Sequence, residues 1–292
     1  MTTLPPFTVH RAGTVEEATE LLERFGDDAV VYCGGTELLL VYKLGFADYS
    51  DLVDVKGIEE LHGIVAEADE LRIGAAVTHR EIERSSVVEE HVPAFALMER
   101  HVGNLRVRNQ GTIGGNLCFA DPHSDPATFL IAAGGAVTIR RGGEAPRRIP
   151  IEELVRGPFE TALAPGELLV SVHVPRPAPG SALVHRKVSF HERPAITVAA
   201  SLRVADGVVA EARLAVGSVG IVPVRVTAAE SLLTGVSADA PSADRIAAAG
   251  EAAVAAARPV ADANGSPEYK AQLVRVISGR CIRDAAASAL LA

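Results

Sequence analysis

The 292-residue chain is 48% hydrophobic and 22% charged, which argues for a folded core and against disorder. Its 28 Lys and Arg against 37 Asp and Glu leave a net charge of −9, so a nucleic-acid partner is not expected. No run of about 18 apolar residues occurs, so no membrane-spanning helix is expected, and residues 1–7, with two adjacent prolines, are not expected to form a signal peptide.

Thr14-Val15-Glu16-Glu17 has the capping-box pattern of a helix start, and Ala18, Leu21, Leu22 and Phe25 then recur on one face before Gly26. Residues 29–33 read as a buried strand ending at Gly34-Gly35, and residues 38–44 as an apolar helix. Residues 51–55 read as a short strand, and residues 63–66 with 71–74 as a hairpin. Thr78-His79-Arg80-Glu81 repeats the capping box, and residues 93–102 form a helix that Gly103-Asn104 closes. From residue 105 to 125 no helical or alternating period holds, and a structureless stretch of that length is usually functional. Asp125-Pro126 carries an N-cap and N1-proline signature for a helix to about residue 133. Residues 137–140 pair with 147–150 as a hairpin, and 167–174 read as a strand. Arg141, Arg147 and Arg148 are the densest basic cluster, diluted by Gly143 and Glu144.

Residues 175–180 (Pro-Arg-Pro-Ala-Pro-Gly) mark a stiff extended connector, since alternate prolines suit neither a helix nor a central strand. Beyond it, residues 196–204 and 208–216 flank Asp206-Gly207, a strong hairpin signal. Alanine-rich helical stretches follow at about 224–233, 242–257 and 267–291. An antiparallel sheet with helices on one face is expected there.

Three cysteines, Cys33, Cys118 and Cys281, are far apart and odd in number, which points to a reducing cytoplasm rather than a disulfide framework. They cannot supply a four-thiolate iron–sulfur or zinc site, so any redox centre this chain carries must be organic. The nine histidines show no paired metal-ligand spacing. His123-Ser124-Asp125 is no hydrolase triad, because a triad is a spatial arrangement and no GxSxG elbow is present. Asn264-Gly265-Ser266 reads as a turn.

Two glycine-rich loops remain. Gly34-Gly35-Thr36-Glu37, between a strand and a helix, reads either as a tight turn or as a cradle of backbone N–H groups for an anion. The second runs from Arg106 to Asn116 and ends Gly-Thr-Ile-Gly-Gly-Asn; it matches neither a Walker loop nor the dinucleotide fingerprint. Asp125, beyond it, suits either an N-cap or a ribose hydroxyl.

Taken together, Cys33-Gly34-Gly35-Thr36-Glu37-Leu38-Leu39, Val107-Arg108-Asn109-Gln110-Gly111-Thr112-Ile113-Gly114-Gly115-Asn116 and Ala120-Asp121-Pro122-His123-Ser124-Asp125 resemble the FAD-binding (medium) subunit of the molybdenum hydroxylases, the carbon monoxide dehydrogenase and xanthine dehydrogenase group. Leu52-Val53-Asp54-Val55, Ile73-Gly74-Ala75, Thr78-His79, Pro223-Val224-Arg225 and Tyr269-Lys270 support the match in order along the chain. The resemblance implies an α+β class. Two subdomains of the vanillyl-alcohol oxidase/PCMH type (residues 1–177, divided at about 57/58) would clasp FAD, followed by a C-terminal antiparallel sheet-and-helix domain (182–292). It implies that Gly34, Gly35, Thr36 and Glu37 meet the diphosphate, with Tyr32, Cys33 and Leu38 along the same stretch. Thr112, Gly114, Gly115 and Asn116 would form the second loop, with Cys118 beside it. Ser124 and Asp125 would hold ribose or ribityl hydroxyls, Leu168 and Leu169 the adenine side, and Lys187 would match a cofactor-side lysine. No residue of this chain is implied as a catalytic acid or base, and none as a metal ligand.

The implied role is an oxidoreductase subunit that takes electrons from the [2Fe–2S] clusters of a small partner and passes them to an external acceptor. A large partner would hold the molybdenum cofactor, in a dimer of heterotrimers. Phe190-His191-Glu192-Arg193-Pro194 departs from the Arg/Ser/Asp-rich stretch expected near the flavin ring, and the scattered cysteines exclude the variant with an extra iron–sulfur insertion. Two other readings are a stand-alone FAD-dependent reductase of the same fold and a structural subunit that has lost FAD. The first lacks an evident substrate acid near Gly217-Ser218, and the intact glycine loops count against the second.

Overall fold

The computed structural model describes residues 5–190, 192–239 and 242–292; residues 1–4 of the N-terminal reading and His191 of the 190–194 stretch lie outside them. Strands β1 (Thr8–Arg11), β2 (Ala29–Tyr32) and β3 (Asp51–Asp54), alternating with helices α1 (Val15–Phe25) and α2 (Leu38–Lys43), form a parallel sheet in the order β1-β3-β2. Thr14 Oγ1 accepts the Glu17 N–H at 3.1 Å, but the Glu17 carboxylate reaches back to the Gly13 N–H at 2.7 Å, so the capping box is displaced by one residue. Strand β2 is half-buried rather than buried, because it lies at the sheet edge while β3 takes the centre.

The next unit opens with β4 (Ile64–Ala66) and β5 (Glu70–Gly74), and continues through α3 (His79–Arg84), α4 (Ser86–His91), α5 (Pro93–Glu99), α6 (Leu105–Gln110), α7 (Ile113–Phe119) and α8 (Asp125–Ala133). After β6 (Ala136–Arg140), β7 (Arg147–Pro150), α9 (Ile151–Leu154), β8 (Val155–Gly157) and β9 (Glu160–Thr161), strand β10 (Leu168–Pro175) enters the middle of an antiparallel sheet ordered β4-β5-β10-β6-β7. Its near-continuous apolar sequence follows from burial on both faces. The Phe95 and Phe129 rings stack at 5.1 Å and join α5 to α8, a contact worth about 1 kcal/mol beyond its buried area. The expected capping box at Thr78 is complete.

The stretch expected to be structureless contains α6 and α7. Asn104 does not close a helix; its Oδ1 accepts the N–H groups of Arg106 and Val107 at 2.8 and 3.1 Å and starts α6. Helices of six and seven residues are too short to show an apolar period, and the glycines hide them further, so their caps are the only local signal. Asp125 is likewise not an N-cap: Ser124 holds that position and Asp125 is the first residue of α8. Arg141, Arg147 and Arg148 each pair with a glutamate (Glu23, Glu167 and Glu70), so they form no basic patch.

After the connector, β11 (Ser181–Ser189), β12 (Pro194–Ala205), β13 (Val208–Gly217) and β14 (Val224–Arg225) form a sheet in sequence order. Asp206 and Gly207, at φ 52° and 75°, make the hairpin turn between β12 and β13. Val224 and Arg225 belong to β14, so α10 (Thr227–Leu233) starts later than the alanine pattern suggests; α11 (Ala243–Ala257) and α12 (Pro267–Ala289) follow. Ile196, Val198, Ala200 and Leu202 face these C-terminal helices in one core, whereas Ala199 and Ala215 belong to the core around α8. The sheet therefore carries helices on both faces, one layer contributed by the N-terminal part. Among the described residues no helix is long and apolar enough to cross a membrane.

Candidate functional site

The two glycine-rich loops lie against each other. A Cβ on Gly34 would fall 2.2 Å from the Gln110 carbonyl oxygen and 2.9 Å from Gly111 Cα, so only hydrogen fits between the backbones. Gly35 adopts φ 69°, and a Cβ there would meet the Tyr32 ring at 2.6 Å. The second loop is pinned from behind by the segment after β5. His79 N–H donates to Gly111 O at 3.0 Å, Ile113 N–H to Val77 O at 3.0 Å and Gly114 N–H to Ala75 O at 2.9 Å. Below it, His79 Nδ1 and Glu99 Oε2 meet at 2.7 Å, both side chains buried.

Their donors differ. Among the described residues the N–H groups of Gly35, Thr36 and Glu37 have no acceptor, so the first loop presents a row of free donors. In the second loop the N–H groups of Ile113 to Asn116 are taken by Val77, Ala75 and Thr112, leaving the Asn116 side-chain amide, whose Oδ1 accepts from Ser124 Oγ at 2.6 Å. Burial pushes the Cys33 thiol up, offset in part by the Thr112 hydroxyl, and burial pushes Cys118 up to about 12, so neither is a thiolate at neutral pH.

Asp125 is 4% exposed, and Lys187 Nζ, reaching from β11, donates to its Oδ2 at 2.8 Å and to His101 O at 2.6 Å. Its Oδ1 is buried without a hydrogen-bond partner among the described residues and stands 3.7 Å from the equally unpartnered His185 Nε2. Burial raises Asp125 to about 6 and lowers His185 to about 3.

A chain of charges crosses the mouth of the loops. Arg193 bridges Glu37 and Asp121 at 3.1 Å each. Asp121 Oδ1 accepts the His123 N–H at 2.9 Å, His123 Nε2 lies 2.9 Å from Asp262 Oδ2, and Lys270 Nζ lies 2.6 Å from that same oxygen. Lys270 is fully buried, whereas Asp262 keeps 25% of its side chain exposed. That asymmetry predicts unequal variants. Asp262→Ala, which strands a buried ammonium, is expected to cost about 3–5 kcal/mol in urea unfolding, while Lys270→Met, which leaves a hydrated carboxylate, costs under about 1 kcal/mol.

The fold thus gathers residues 32–38, 112–118, 124, 125 and 187 around the paired loops. Leu168 and Leu169 are buried at the start of β10, opposite Arg140 and Ile139 of β6; the carbonyl of the neighbouring Val170 accepts from Ala75, and β10 packs against α7 behind the second loop. Sequence reasoning missed His185 and the bridging role of Arg193. His185 is two residues before Lys187 on a strand, and that spacing puts both on one face. Arg193 lay within the stretch already singled out as divergent, but its partners are more than seventy residues away.

Residues 5–177 match the family described as the FAD binding domain in molybdopterin dehydrogenase, and residues 189–285 the CO dehydrogenase flavoprotein C-terminal domain. The chain is 33% identical to the 6-hydroxypseudooxynicotine dehydrogenase complex subunit alpha of Paenarthrobacter nicotinovorans, over 96% of this chain and 95% of that protein. It is 29% identical to the carbon monoxide dehydrogenase medium chain of Afipia carboxidovorans, over 97% and 98%. Among solved structures, a chain of the carbon monoxide dehydrogenase from Hydrogenophaga pseudoflava that lacks the Mo-pyranopterin moiety superposes with a TM-score of 0.94 at 30% identity, covering 99% of both chains.

Proposed function

Because the chain belongs to the family of FAD-binding subunits of molybdopterin dehydrogenases, we propose that it is the FAD-carrying electron-transfer subunit of a heterotrimeric molybdenum hydroxylase. Electrons arrive from [2Fe–2S] clusters on a small partner and leave to an external acceptor; a large partner holds the molybdenum cofactor and the substrate, and the assembly is a dimer of heterotrimers in the cytoplasm. Residues 1–177 form the cofactor-binding part and 182–292 the C-terminal domain.

The observation that carries this reading is the paired loops: free N–H donors of Gly35, Thr36 and Glu37 opposite the Asn116 amide, with a buried carboxylate oxygen of Asp125 left without a donor. These groups fit FAD. The donors of 35–37 and the Thr36 hydroxyl take the diphosphate, and Arg193 offsets the Glu37 and Asp121 charges beside it. Ser124 and Asp125 take cofactor hydroxyls, Lys187 holds the Asp125 carboxylate in place, and Leu168 and Leu169 back the adenine side. Tyr32, Cys33, Leu38, Thr112, Gly114, Gly115 and Cys118 complete the walls. Bound FAD supplies the chemistry, accepting single electrons and releasing a pair, and this chain positions it and tunes its surroundings.

The purified chain is expected to be yellow, with stoichiometric FAD released on denaturation, and to co-purify with a molybdenum and an iron–sulfur subunit. A colourless chain that takes up no FAD on reconstitution would overturn the reading.

A further inference from the structure

The sheet face that carries Ala199 and Ala215 continues past the end of the helix that covers it. Helix α8 stops at Gly134, at φ 74°, while the same face runs on through Ser201 and Arg203 of β12, Glu211 and Arg213 of β13 and Arg225 of β14. The proline connector walls one side and α10 the other, enclosing a cleft of about 670 Å³. That volume falls in the range of small-molecule sites, roughly 300–1,000 Å³.

Its charge is unbalanced. Arg176, Arg203, Arg213 and Arg225 line it against Glu211 and Glu230 alone, in a chain of net charge −9. Glu230 already holds Arg225 through two contacts of 2.9 Å, and Glu211 holds Arg203 at 2.6 Å. Arg213 and Arg176 have no carboxylate partner among the described residues. Arg213 is half-buried and held by packing: a Cβ on Gly134 would lie 3.2 Å from its guanidinium carbon. Ser201 stands directly across the ladder from it, whereas the Ser231 and Thr234 hydroxyls of the α10 wall already donate to Thr227 O and Glu230 O at 3.1 and 2.9 Å.

We propose that this cleft, separate from the glycine loops, binds a small organic phosphate of at least two negative charges, with Arg213 and Arg176 as its cationic anchors and Ser201 as a neutral donor. Two unanswered guanidinium forks beside the Ser201 hydroxyl suit the several oxygens of a phosphate ester. Nothing in this assignment depends on what the glycine loops bind.

The test is calorimetric titration of the chain as purified, with its glycine-loop site saturated by added FAD. ADP and pyrophosphate are expected to bind and adenosine not to. Arg213→Gln is expected to weaken ADP at least tenfold and Arg176→Gln severalfold, with melting temperature and flavin content unchanged. Arg176 is an exposed connector residue, so its variant remains informative even where Arg213→Gln fails to fold. Absence of binding by both ADP and pyrophosphate, binding indifferent to both substitutions, or malonate binding as tightly as ADP would each overturn the proposal.

Discussion

Gly34→Ala is expected to strip the chain of FAD. The added Cβ falls 2.2 Å from the Gln110 oxygen, well inside contact distance, and both partners are backbone. No rotamer change relieves the clash, so the loops must separate. Separation moves the free donors of 35–37 away from the Asn116 amide, and the two halves of the site no longer converge on one diphosphate. We expect flavin content to fall at least tenfold, with a stability loss of about 1–3 kcal/mol from overpacking. Gly45→Ala is the control. Unlike Gly34 it sits at positive φ, 75°, and a Cβ there meets nothing within 4 Å. It should cost about 1–2 kcal/mol of backbone strain and leave flavin content alone. If Gly34→Ala binds FAD as the parent does, the two loops do not act as one site.

The second large effect is in pH dependence. Native Asp125 holds its proton to about 6 against an ordinary value of 3.8, so between about pH 4 and 6 its contribution to stability falls as pH rises, by about 1.4 kcal/mol per unit. Native His185, lowered to about 3 from 6.5, refuses a proton that the unfolded chain binds, so its contribution is complete above about pH 6.5 and is lost as pH falls. Over about pH 4–6 the two slopes cancel in the parent. Asp125→Asn removes one of them, and acidifying from about pH 6 to 4 should then cost the variant about 3 kcal/mol relative to the parent. His185→Leu should show the opposite sign, gaining about the same amount, and the double variant should again run parallel to the parent. Urea unfolding across this interval reads all four proteins. Single-variant profiles parallel to the parent would show that the two groups do not titrate as their burial requires.

Much of this protein is legible locally. The Asp206-Gly207 hairpin, the Thr78 capping box, the helix ending at Ala133 and the strand–glycine–helix passage around Gly34 each depend on a few adjacent residues and are observed. Helices α6 and α7 escape because less than two turns leave no period to detect. The edge position of β2 escapes for another reason. The order β1-β3-β2 depends on how crossovers pack, and the apolar run of 29–33 reads alike at an edge or in a centre.

The site divides along the same line. Glycines at 34, 35, 114 and 115, an acid at 125 and a lysine at 187 are visible as residue types in order, and order is enough to place the chain in its family. That the first loop keeps free N–H donors while the second spends those of Ile113 and Gly114 on Val77 and Ala75 depends on which segment lies behind each loop. The Arg193 bridge, the His185–Asp125 pairing and the arginine cleft beyond Gly134 all join residues far apart in the chain. Local propensity and motif spacing act over a few residues and so survive in the linear chain. Burial and charge pairing act through space, and they exist only after the two domains have closed on each other.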